Sequence, residues 1–272
     1  MLSNPPKELR ENIARANGYL RRGEVDRGLA CMSAALRQYA GLRLMRSARA
    51  VVDIQINEFL GALIHHQKMQ PLLDPGHNGK PRPIPYQQGK ESALATVLDG
   101  LAKILRDEAE DSIRREAEAR LERKKNLIQT GVQLMHEGQT ARGRAFLKRV
   151  AEEFGDEAGI HLQLAQLFVA AGQYMEAADM YEQAMEAQPR EPAAYTGAVA
   201  AWEKLHEYEK AEEVYKAILR AFGGPPSTLG KMAKMYLDWR RRPQAEDTAL
   251  RALQSDPGQA DALAVMAALH KN

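Results

Sequence analysis

One period constrains this chain more than any other feature: from Lys124 onward the sequence repeats every 34 residues without a gap. Steps of that length give a column of small side chains, Gly131, Ala165, Val199, Ala233 and Ala267, and three residues later a large apolar column, Leu134, Phe168, Trp202 and Tyr236. A second small column runs Gly143, Ala177, Ala211 and Ala245, followed four residues on by Leu147, Tyr181, Tyr215 and Ala249. Gly155, Pro189, Gly223 and Pro257 close the units with residues that stop helices.

Each unit holds two runs of about 13 residues with apolar side chains at helical spacing, separated by a turn at Gly138 or Gly172 in the first two units. Small residues let two antiparallel helices approach closely, and the aromatics fill the space beside them. A single hairpin cannot bury its apolar face, whereas stacked hairpins can, so the expected fold is an all-α solenoid of four hairpins. Asp261 to His270 supplies only the first helix of a fifth unit, a cap on the last hairpin. A terminal cap needs a polar outer face, yet residues 262–269 are apolar nearly all round. Whichever of Leu263, Val265, Met266 and Leu269 points outward is therefore a candidate contact for a second chain in a weak homodimer, or for the N-terminal lobe.

These columns resemble the tetratricopeptide repeat, whose pattern is W-x2-L-G-x2-Y, then A-x3-F, then P. Unit 158–191 matches with Leu164-Ala165, Phe168, Ala177, Tyr181, Ala184 and Pro189. Unit 192–225 keeps Trp202, Ala211 and Tyr215 but has Val199 and Gly223, unit 226–259 keeps Ala233, Tyr236, Ala245 and Pro257, and unit 124–157 is looser. The resemblance implies a concave groove lined by the first helix of each unit, holding a peptide or amphipathic helix of another protein. The inward positions it implies are Ile128, Val132 and Met135, then Leu162, Gln166 and Val169, then Thr196, Ala200, Glu203 and Lys204, then Gly230, Lys234 and Asp238. Some family members clamp a terminal carboxylate with Lys, Asn and Arg. The matching places here are Ile128, Val132, Gln163, Ala193 and Gly197, so that clamp is missing.

The N-terminal half reads differently. Residues 9–42 look like a degenerate copy of the unit, with Ala16, Tyr19, Gly23, Gly28, Met32 and Ala35 at the right spacings. The segment from Arg43 to Met69 reads as one long amphipathic helix stopped by Pro71. Residues 71–89 hold five prolines and three glycines and read as a loop of extended backbone. From Lys90 the chain is again helical, first with Leu94, Leu98, Leu101 and Leu105 on one side, then mostly charged to about Asn126. The expected organisation is an N-terminal helical lobe over 1–123 and a solenoid over 124–272.

Chemistry is sparse. One cysteine, Cys31, excludes an internal disulfide and a cysteine zinc site and sits on an apolar face. His65-His66 with Glu58 supplies too few ligands for a metal, and Glu203-x-x-His206 is a lone pair where a di-metal bundle needs two such pairs and further glutamates. Gly76 to Pro81 lacks the spacing and the Ser/Thr of a phosphate loop. No catalytic residue, metal or cofactor is expected. Net charge is +2, but residues 1–50 carry 10 Lys/Arg against 4 Asp/Glu and residues 124–272 carry 18 against 20. Tyr19 and Tyr39 are the only aromatics among those N-terminal cations, which argues against base stacking on nucleic acid. The start has no apolar signal core and no 18-residue apolar run occurs, so the expectation is a cytoplasmic protein without a membrane span. The reading is a non-catalytic adaptor or assembly factor. Its alternatives are a regulatory subunit of a larger enzyme or secretion complex and an RNA-binding helical repeat.

Overall fold

The computed structural model describes residues 2–74 and 82–271. Among them there are thirteen α-helices and no strand, and the one extended pairing is a bridge between Leu2 and Leu44. The chain divides into two compact units, with the division between Glu118 and Ala119 and a separate apolar core in each.

The first unit opens with a hairpin of α1 (Lys7–Arg21) and α2 (Val25–Ala40). Leu9, Ile13, Ala16 and Leu20 recur at helical spacing and form the buried face of α1. Gly28 on α2 sits where a Cβ would lie 3.1 Å from the Ala16 carbonyl oxygen, so the two helices are in close contact there. Cys31 is half-buried against this core.

Helix α3 (Arg46–Ile64) is shorter than the sequence implies. The chain leaves it at His65, makes a 3-10 turn over Gln67–Met69 and re-enters α4 (Gln70–Leu73). Pro71 therefore starts a helix instead of ending one, because a first-turn proline gives up an N–H that has no helical partner anyway.

The expected loop over 71–89 is corrected at its start, where residues 71–73 are helical, and residues 82–89 are without helix or strand as expected; residues 75–81, with the Gly76–Pro81 segment, lie outside the described residues. Beyond them, Arg82 donates its N–H to the Leu73 carbonyl at 2.7 Å, and Ile84 and Tyr86 pack against the first unit's core. Asp53 fixes this segment. One of its carboxylate oxygens accepts the hydroxyls of Tyr86 (2.6 Å) and Tyr39 (2.8 Å), and the other accepts from the Gln88 amide at 2.5 Å. Proline content indicates extended backbone, but the anchor depends on partners more than 30 residues distant in sequence. Helix α5 (Glu91–His136) then runs unbroken across the division between the units.

In the second unit the end of α5 pairs with α6 (Thr140–Phe154), α7 (Ile160–Ala170) with α8 (Tyr174–Ala187), α9 (Pro192–Lys204) with α10 (Tyr208–Phe222), and α11 (Pro226–Asp238) with α12 (Arg242–Ser255). Helix α13 (Ala260–His270) packs on the last pair. The small columns are the contact line: Ala165, Ala177, Ala211, Ala233 and Ala245 are fully buried. In the first hairpin both places are glycine, and a Cβ on Gly143 would stand 2.7 Å from the Gly131 carbonyl oxygen. Gly138, Gly172, His206 and Arg240 all take positive φ, so the turn has one backbone conformation repeated every 34 residues. Gly23, in the turn between α1 and α2, has the same sign at φ 77°.

The cap settles which way its apolar residues point. Ala262 and Val265 are buried, Met266 and Leu269 pack against the array, and Leu263 faces outward at 48% exposure.

Candidate functional site

The first-helix side of the array holds a recess of about 350 Å³ between α9 and α11, closed below by α10 and at one end by α13. Of the thirteen positions implied by the sequence, five line it: Thr196, Ala200, Glu203, Lys234 and Asp238. The remainder do not converge there. Ile128, Met135 and Leu162 are half-buried against the solenoid core, so much of their apolar surface is consumed by stacking. Val132 is also half-buried, and Gln166, Val169 and Lys204 are exposed but lie outside the recess.

Gly230 is buried, which makes it a structural position. A Cβ there would overlap the Gln259 side chain, whose Oε1 also accepts the Ala262 N–H at 2.5 Å at the start of α13. Gln259 thus takes the place beside α11 that a ligand would need. The open face of α11 is Ser227, Lys231, Lys234 and Asp238, at helical spacings of four, three and four. Lys231, Ser227, Thr228, Tyr215 and Asp261 were missed from sequence. The missing signal for Tyr215 lies in its two ends: its ring is core, and its hydroxyl reaches the recess. Gly197, one of the unmatched clamp places, is covered by the Tyr181 ring.

Electrostatically the recess is mixed. Glu203 is half-buried and accepts the Tyr215 hydroxyl at 3.0 Å. Burial pushes its carboxyl above the usual glutamate value, Tyr215 opposes that by hydrogen bonding, Asp238 adds to it, and Lys234 and Lys231 oppose it. Burial, then the Glu203 charge and hydrogen bond, hold the Tyr215 hydroxyl well above the usual phenol range. The recess therefore combines three carboxylates, Glu203, Asp238 and Asp261, and two lysines with apolar Val199, Ile218 and Met235, a lining able to hydrogen-bond and ion-pair with a chain as well as to bury apolar side chains.

The residues weighed for chemistry stay apart. His66 Nδ1 accepts the Lys68 N–H at 3.2 Å, and His206 Nδ1 pairs with the Tyr208 hydroxyl at 3.0 Å while Glu203 is engaged by Tyr215. Among the described residues no group of three or more His, Cys, Asp or Glu could hold a metal, and no helix is long and apolar enough to cross a membrane. Of the N-terminal arginines all but Arg49 are exposed. Arg15, Arg22 and Arg27 pair with acids on their own hairpin, and only Arg37 reaches the 91–122 segment, at Asp99.

No curated protein matches the chain. Among solved structures it is similar to MamA AMB-1 (16% identity over 55% of this chain and 81% of that one, TM-score 0.40). It is also similar to YrrB, described as a TPR protein with an unusual peptide-binding site (19%, 43% and 60%, TM-score 0.34), and to Pseudomonas aeruginosa PilF (13%, 96% and 97%, TM-score 0.35). The family model for the tetratricopeptide repeat matches residues 134–202 and 168–235. These windows run through the hairpins whose small and aromatic columns pack as the repeat requires, and residues 134–235 of this chain are tetratricopeptide repeats.

Proposed function

We propose that this protein is a non-catalytic cytoplasmic adaptor or assembly factor that holds an extended segment of another protein along the first-helix side of its solenoid. The observation that supports this most is the recess in which Thr196, Ala200, Glu203, Lys234 and Asp238 come together. Its lining mixes apolar Val199, Ile218 and Met235 with polar groups, and this favours an extended peptide over the apolar face of a helix, because an extended backbone supplies the donors and acceptors that Glu203, Thr228 and Lys231 can meet. The α1–α2 hairpin, with its Gly28 contact and left-handed Gly23, is in this reading a detached copy of the repeat. A homodimer through α13 has little to rest on. It would bury Leu263 from each copy, but each is only 48% exposed beforehand, so the pair is worth about 1.5–3 kcal/mol, below the roughly 4 kcal/mol of a millimolar complex.

The test separates two lysines that the sequence placed together. Once a partner is captured by a photo-crosslinker at Thr196, Lys234→Glu should weaken its binding, and Lys204→Glu, outside the recess, should leave it unchanged. Both variants should melt with the wild type. Equal effects of the two substitutions would remove the recess from the interface.

A further inference from the structure

The second-helix side of the solenoid carries a larger cleft, about 580 Å³, between α8 and α10. Its floor is apolar, with Met185, Trp202, Val214 and Ala217, and Met175 stands at its edge 44% exposed. Flexible methionines beside an aromatic ring are suited to receiving inserted side chains. Asp179, Glu186 and Glu213 line the cleft with no ion pair among the described residues. Trp202 donates its indole N–H to Glu182 at 3.2 Å, so the ring is held edge-on to this acidic wall.

A surface of matching chemistry exists in the first unit. Leu2 and Met45 are joined by backbone hydrogen bonds, Leu2 N–H to Arg43 O and Met45 N–H to Leu2 O, each 2.9 Å. Both side chains are nearly half exposed, at 48% and 46%. Arg43 and Arg46 flank them, exposed and without an ion pair among the described residues. The cleft also holds one cation, Lys210, whose Nζ lies 4.1 Å from the centre of the Trp202 ring, so its lining carries four carboxylates, Asp179, Glu182, Glu186 and Glu213, against one lysine. Two apolar side chains and two free cations on one strap complement this apolar floor and its net negative rim.

We propose that the occupant of the second-helix cleft is a second copy of this chain, docked through its Leu2–Met45 strap with Arg43 and Arg46 against Glu186 and Glu213. The contact is heterologous, since the two patches differ, and a docked pair keeps one free strap and one free cleft, so assembly proceeds head to tail. It leaves the first-helix recess open and does not depend on the function proposed for it.

Charge reversal tests this on the full chain by sedimentation. At about 0.01 M salt, with a screening length of about 30 Å, the wild type should exceed monomer mass, and at about 1 M, with about 3 Å, it should not. E186R/E213R and R43E/R46E should each be monomeric, because like charges then face each other, with at least a tenfold weaker self-association. Mixed together, they should co-assemble at 1:1 in alternation, because the wild-type strap meets the wild-type cleft and the reversed strap meets the reversed cleft. The quadruple variant should regain head-to-tail growth. Circular dichroism melts matching the wild type show that the variants fold. Wild-type monomers at low salt, reversals that leave association intact, or a mixture that stays monomeric would each overturn the proposal.

Discussion

Four turns of the solenoid share one left-handed backbone position, and two of them fill it with glycine at no steric cost. Arg240, at φ 62°, fills it with a branched-backbone clash of about 1–2 kcal/mol. Glycine there would recover that but lose about 0.5–1 kcal/mol more chain entropy on folding. Arg240→Gly should therefore stabilise the protein by up to about 1 kcal/mol, read by urea unfolding. Glu203 is a second residue held against its preference. Its folded pKa is raised, chiefly by burial, so the charged form costs stability as pH rises through the ordinary glutamate range, and that cost disappears below it. Glu203→Gln, which can still accept the Tyr215 hydroxyl, should raise the melting temperature at pH 7. The difference should vanish near pH 4; a gain that persists there would assign it to something other than ionisation.

At the level of elements, the helix pairs differ in how near their backbones come. Ala177, Ala211 and Ala245 fit at their crossings, whereas Gly143 meets the Gly131 carbonyl with no room for a methyl group. Gly143→Ala should cost about 1–3 kcal/mol through forced separation of α5 and α6, measured by chemical denaturation with α-helix content unchanged before the transition. The repeat columns made these crossings legible in the sequence, because side-chain size at a contact line is a local property recorded at every period. The segment from Met69 to Glu91 was illegible for the opposite reason. Pro71 reads as a stop and serves as a start, and Tyr86 reads as a loop aromatic yet its hydroxyl is fixed by Asp53 of α3. Of the groove positions that the resemblance implies, Thr196, Ala200, Glu203, Lys234 and Asp238 lie together in the recess, whereas Gln259, from the turn before α13, covers Gly230.

Across the whole molecule, charge is divided by sequence and not by amount. An excess of cations in the first 50 residues balances the acids downstream to a net +2. Near-neutral proteins gain no general attraction to polyanions, so the exposed arginines act as local patches, and the recess and the second-helix cleft present different chemistries on two sides of the array. The constant 34-residue step also bears on how such an array can change over generations. Excising residues 192–225 would rejoin the chain in register, with each turn and small-residue crossing still in line. It would also bring the Tyr181 ring, which now lies over Gly197, opposite Lys231. Unit length has been kept interchangeable while the joints have become private, so duplication or loss of a unit meets its resistance at a tyrosine.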